Sequence, residues 1–157
     1  MSLERTDVRL AGKAAAVLDV IRRDSGGTVP ADVIGQLKRL PALLLSSGVP
    51  ASMAFLYSKA GDRSSLEQAY AAILDALRAE LAAVWGWSDR PGPLQFFTRV
   101  SDPAQVDSAA LSRASVRLGE FALWLRRLAE AIEHSEPVPG SGARSGATAQ
   151  AQGGPGA

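Results

Sequence analysis

Residues 37–59 read LKRLPALLLSSGVPASMAFLYSK. Two apolar helical segments flank a Ser46-Ser47-Gly48-Val49-Pro50 break, with cations at both ends and no catalytic group between them. Leu37, Leu40 and Leu44 continue an apolar series that begins at Val33 and Ile34, and Pro30 stands where proline opens a helix near Ala31. Pro41 falls inside that series. It removes the hydrogen bond to the carbonyl of Leu37, which predicts a bend there. Gly48 followed by Pro50 predicts a stop and a restart. The next helix, about residues 50–60, carries Met53 and Leu56 inward with Phe55 or Tyr57.

The same helical period extends in both directions. Before the break, Leu10, Ala14, Val17 and Ile21 recur on one face, widened by Ala11 and Leu18, which predicts a helix over residues 3–24 ended by Gly26 and Gly27. After it, Ser64-Ser65-Leu66-Glu67 is a capping box. It opens a long helix with the apolar series Leu66, Ala69, Tyr70, Ile73, Leu77, Leu81, Val84 and Trp85, ended by Trp85-Gly86-Trp87 packed against the core. Asp89-Arg90-Pro91-Gly92-Pro93 reads as a turn, residues 94–100 as a short segment, and Ser101-Asp102-Pro103 as a helix restart. The final helix places Leu111, Ala114, Leu118, Phe121, Leu125, Leu128 and Ile132 at alternating steps of three and four, a heptad stripe. No strand-like alternation occurs. The expected fold is all-α: a single-domain bundle of five or six helices over residues 1–134, with residues 135–157, which hold no Leu, Ile or aromatic residue, as a flexible low-complexity tail.

Composition narrows the function. A chain of 157 residues supports one core. A net charge of +1 gives no bulk attraction to polyanions, so any nucleic-acid role depends on the local placement of cations. Without cysteine, disulfides and thiolate zinc sites are excluded, and a single histidine excludes a histidine-rich metal site. No phosphate-cradling glycine loop is present. His134 is the only imidazole; at the end of the last helix it has a plain role as a cation near the helix C-terminus. The acids fall at i,i+3 and i,i+4 from Arg and Lys, as on solvated helix faces. The expectation is a protein that is not an enzyme, binds no cofactor or metal, carries no signal peptide, has no apolar run approaching a membrane span, and resides in the cytoplasm.

Three cationic features remain. Arg5, Arg9 and Lys13 step by four along the first helix, with Glu4 and Asp7 beside them. Lys38 and Arg39 precede the proline, and Lys59 and Arg63 follow the next helix. On the final helix Arg113, Arg117, Trp124 and Arg127 fall within about an 80° arc that Glu120 shares. Arginines around an aromatic ring can hold phosphates while the ring stacks on a base. The plainer reading has Trp124 capping the core edge and the arginines solvated.

At this point the chain resembles a known family, the small α-helical subunit of type III-B CRISPR effector complexes (the Cmr module). That family shows a Leu-Pro-x-Leu-Ile helix, an Asn-Gly-Leu break and a Leu-Ala-Phe-Leu helix ending in Lys. The counterparts are Leu40-Pro41-Ala42-Leu43-Leu44, Ser47-Gly48-Val49 and Met53-Ala54-Phe55-Leu56 leading to Lys59. The family's Trp-Leu-Lys-Arg-Phe-Ala matches Trp124-Leu125-Arg126-Arg127-Leu128-Ala129. Departures are Ser47 for Asn, Pro50 after the break, Arg126 and Leu128.

The resemblance covers roughly residues 5–132. It implies a non-catalytic subunit that stacks along an RNA-guided complex beside the backbone subunits and the large signature subunit. It would help hold the guide RNA–target RNA duplex in antiviral defence, touching phosphates and shape while base pairing reads sequence. On that reading the RNA-binding residues are Lys38, Arg39, Lys59, Arg63, Arg117 and Arg127, and the surface near Val49, Pro50 and Met53 either meets a neighbouring subunit or is internal core. The alternative from another class is a helical protein–protein adaptor, or a bundle that dimerises through the final heptad stripe without touching RNA. A helix-turn-helix DNA binder fits less well, since no two short helices flank a compact glycine turn.

Overall fold

Inside the helix Ala31–Lys59 one residue leaves helical dihedrals: Gly48, at φ 81° and ψ 171°. That combination belongs to a region essentially reserved for glycine, and it turns one apolar run into two arms. The computed structural model describes residues 3–135, with side chains described from Asp7 onward. It has α1 (Leu3–Asp24), α2 (Ala31–Lys59, both arms), α3 (Ser65–Trp85), α4 (Pro93–Val100) and α5 (Ser108–Ser135), with no strand among the described residues. The fold is the expected all-α bundle. The tail expected over residues 135–157 lies, from residue 136 onward, outside the described residues.

The bundle is organised around α3 and α5. Both α1 and α2 pack on each of them, while the backbones of α1 and α2 do not approach each other among the described residues, so they lie on opposite sides of the α3–α5 pair. The broadest contact is between α2 and α5; α4 packs on α2 and, through Phe96, on Trp85 of α3. Leu118, Phe121 and Leu125 of α5 are fully buried at the centre, against Leu10 and Ile21 of α1, Leu37 and Met53 of α2, and Ile73, Leu77 and Leu81 of α3.

Local chemistry sets the helix ends. Ser64 Oγ accepts from Glu67 N–H at 3.2 Å. The Glu67 carboxylate accepts from the N–H of Arg63, one residue before the cap, at 2.9 Å. Gly86 in the left-handed conformation ends α3, and the Trp87 N–H returns to the Ala82 carbonyl at 2.9 Å. The following turn is held by Arg99, which forks onto Asp89 at 2.8 and 2.7 Å and keeps that carboxyl below the usual aspartate value. Trp85 donates its indole N–H to the Ala110 carbonyl at 3.0 Å, and Trp87 meets Phe96 edge-on, so the Trp85-Gly86-Trp87 segment does end a helix against the core.

The stop and restart expected at Gly48 and Pro50 is present, while the helix runs on through Pro41 with helical dihedrals. Several other expectations need correction. Residues 101–107 form a turn; the last helix begins at Ser108, where the Asp107 carboxylate accepts from the Ala110 N–H at 2.7 Å. Near its ends α5 buries Ala110 and Ala129 in place of Leu111 and Leu128, because a straight helix drifts from a seven-residue repeat. Val49 and Met53 are internal core. Residues 40–58 also carry no charge, and α2 has the length and mean hydropathy of a membrane span. Gly48 cuts it into arms that each fall short of the roughly 20 residues a span needs, and its apolar face is spent on α3 and α5.

Sequence reading missed the one charged residue buried in the core among the described residues. Glu80 of α3 is 1% exposed. Its carboxylate accepts from Lys13 Nζ of α1 and, at 2.9 Å, from Arg117 Nε of α5, tying three helices together. Burial alone would push the carboxyl up; the hydrogen bonds and charges of Lys13 and Arg117 outweigh it and hold it below its ordinary value.

Three substitutions have expected outcomes in denaturant and thermal unfolding. Gly48→Ala should destabilise by about 1–3 kcal/mol from backbone strain, since its new Cβ would meet only Pro50 Cδ at 3.9 Å. Gly35→Ala, at a helical site with nothing within 4 Å, should stabilise by roughly 0.5–1 kcal/mol. Glu80→Gln should cost roughly 1–3 kcal/mol at neutral pH, the Lys13 and Arg117 tips keeping access to water. A carboxyl lowered by folding stabilises above its unfolded value of 4.5 and loses that contribution as pH falls through the folded one. The gap between wild type and Glu80→Gln should therefore close on acidification below 4.5, read from urea midpoints across pH.

Candidate nucleic-acid interface

The Gly48 turn brings the two arms of α2 onto the same patch of α3. Leu40 and Leu43 of the first arm and Phe55 and Leu56 of the second meet Tyr70 and Ile73, and Arg39 lines the same crevice. Phe55 stands edge-on to Tyr70, with centroids 6.5 Å apart. Lys59, one turn beyond Phe55, holds its ammonium 5.8 Å from that ring, the meeting that i,i+4 spacing provides. Arg63 follows at the cap of α3. The side chains of Arg39 and Arg63 are exposed, and no ion pair or hydrogen bond occupies them among the described residues. Arg39 and Lys59, 20 residues apart in sequence, are thus joined on one face by the fold.

Lys38 points elsewhere. About 100° around the helix from Arg39, it reaches Glu133 of α5 at 2.9 Å. Both side chains are more than a third exposed, so the pair contributes little stability.

A second basic face lies across α1 and α5, on the other side of the α3–α5 pair. Arg127 covers the Trp124 ring at 5.3 Å, and the Trp124 indole N–H donates to Asp7 at 2.6 Å. That bond and the Lys13–Glu80–Arg117 cluster join the α1 stripe to the α5 arc. Arg9 and Arg113 are exposed with no side-chain partner among the described residues. The Arg5 side chain lies outside the described residues. Glu120 makes no ion pair among the described residues, so the arginines of its arc are not neutralised by it. Trp124 is half-buried with its N–H engaged and one face covered. It serves as a platform for Arg127 and a clasp to α1, leaving little ring for a base.

Of the six residues singled out from sequence, Arg39, Lys59 and Arg63 belong to the α2–α3 side. Arg127 is on the α1–α5 side with its guanidinium over an indole. Arg117 is turned to Glu80, with its side chain 19% exposed, and Lys38 to Glu133. The signal for Glu80 was available: it stands three residues after Leu77 and four before Val84, on the apolar face of the most regular amphipathic helix, where a lone acid demands cationic partners. No group of three His, Cys, Asp or Glu side chains gathers into a metal-binding arrangement among the described residues, and His134 is exposed at the end of α5.

No curated protein and no solved structure matches the chain. The family model described as CRISPR-associated protein (Cas_Cmr5) matches residues 12–132, from the first turns of α1 to the last turn of α5. The chain belongs to the Cas_Cmr5 family of CRISPR-associated proteins, the small helical subunit of the type III-B Cmr module.

Proposed function

We propose that this chain is a non-catalytic, cytoplasmic subunit that stacks along a type III-B CRISPR ribonucleoprotein and helps hold the guide RNA–target RNA duplex in antiviral defence. Its partners would be the backbone subunits, the large signature subunit and both RNAs. The observation that carries this reading is a coincidence of two independent features. The segment bearing the family's Leu-Pro, Gly and Phe-Leu…Lys landmarks is the segment whose two arms assemble the Arg39–Phe55–Lys59 face. Cations spaced along a helical surface, without polar groups arranged to read base edges, suit phosphates and duplex shape. Arg39, Lys59 and Arg63 are the principal contacts and Arg127 a separate one. Lys38 and Arg117 contribute less, because Glu133 and Glu80 already match their charge. The competing reading, dimerisation through the α5 heptad stripe, loses its surface: Leu118, Phe121 and Leu125 are wholly inside the bundle.

The test is salt-dependent binding of target RNA by the guide-loaded complex. Removing one cation that neutralises a phosphate should lower the log–log salt slope by about 0.7. Arg39→Glu, Lys59→Glu and Arg63→Glu combined should therefore lower it by roughly 2, with helicity and complex assembly unchanged. Arg127→Glu alone should remove about 0.7. A combined variant that assembles and keeps both affinity and slope would overturn the assignment.

A further inference from the structure

We infer that Phe55 is a stacking platform for a single unpaired ribonucleotide, a role that rests on the RNA contacts proposed for Arg39, Lys59 and Arg63. Phe55 is half-buried on the second arm of α2, so part of its ring stays at the surface. Tyr70, 5% exposed, stands edge-on to it and fixes its tilt. The Lys59 ammonium is 5.8 Å from the ring centroid. Van der Waals contact needs about 3.5–4 Å, so the ammonium stands off the ring and does not seal it. Both Lys59 and Arg39 are exposed, and neither has an ion-pair partner among the described residues.

Gln36 adds a polar group to the platform. It lines the same crevice as Arg39, Phe55 and Tyr70, is half-buried, and its carboxamide makes no hydrogen bond among the described residues. A carboxamide both donates and accepts, and the 2′-hydroxyl of a ribose answers both. The crevice itself encloses about 20 Å³, room for about one water. A base therefore lies across its mouth on Phe55, with its flanking phosphates toward Arg39 on one arm and Lys59 on the other. Inside a duplex each base has both faces covered by its neighbours, so an aromatic platform takes a base whose face is free. Stacking of this kind tolerates every base, which leaves sequence to pairing. Trp124, the other ring beside arginines, is a poorer platform, with its N–H bonded to Asp7 and Arg127 over its face.

The probe is 2-aminopurine, whose fluorescence falls on stacking, placed one position at a time in the target RNA or in the guide of the assembled complex. At one or more positions the signal should be quenched with the wild-type chain, brighten with Phe55→Leu and with Phe55→Met, and stay quenched with Phe55→Tyr. The strand that responds identifies the source of the nucleotide. Target affinity should fall roughly fivefold or more for Phe55→Leu, with the log–log salt slope unchanged, because stacking neutralises no phosphate. Assembled Phe55→Leu and Phe55→Met complexes with wild-type fluorescence at every position would overturn the inference. So would a lowered salt slope, which would make the ring a prop for Lys59. The combined charge reversal of Arg39, Lys59 and Arg63 separates the two readings. If it lowers the slope while no position responds to Phe55, the stacking role alone fails; if it leaves the slope intact, the phosphate contacts fail and the platform with them.

Discussion

The glycine-only backbone at position 48 is the constraint on which this bundle rests. An unbroken α2 would run past the core as one rod and present Leu37 and Leu56 to different neighbours. With Gly48 at φ 81° and ψ 171°, both arms return their apolar residues to α3 and α5, and Val49 and Met53 become core at the corner itself. The turn also brings Arg39 and Lys59 to the same side of the bundle, around Phe55. Architecture and candidate interface thus share one local cause, a residue without a Cβ at a place where any other side chain would be strained.

Glu80 imposes a second constraint of a different kind. A carboxylate removed from water is tolerable only with cations in hydrogen-bonding reach, and here these come from α1 and α5, helices that a packing error would separate. Apolar contacts are forgiving about register; a charged cluster is not. Glu80 thereby matches charge on Lys13 and Arg117, which is why the sequence pattern of basic residues overstates the charge presented to a partner.

Much of the fold was legible because its signals are local. The α1 and α3 series, the capping box at Ser64, the Gly86 stop and the restart after Gly48 all concern residues within a few positions of one another. Legibility failed where the outcome depended on distant groups. The helix continues through Pro41 with helical dihedrals, where Leu37, Leu40 and Leu44 are buried together against other helices. The ends of α5 followed the true helical period, with alanines inside where leucines were expected. For the candidate site, sequence named the cations but not their partners. That Lys38 meets Glu133 while adjacent Arg39 has no ion-pair partner among the described residues is decided by which helix lies on each side of α2, information that exists only once the chain is folded.

That α1 and α2 flank the α3–α5 pair on opposite sides has an energetic consequence. Perturbations at residues more than about 10 Å apart that share no contacting side chain combine additively to within about 0.5 kcal/mol. A change at Arg9 or Trp124 should leave the response to a change at Arg39 or Lys59 intact, so the two flanks behave as thermodynamically independent surfaces. A ligand held on one flank would then leave the affinity of the other flank unchanged.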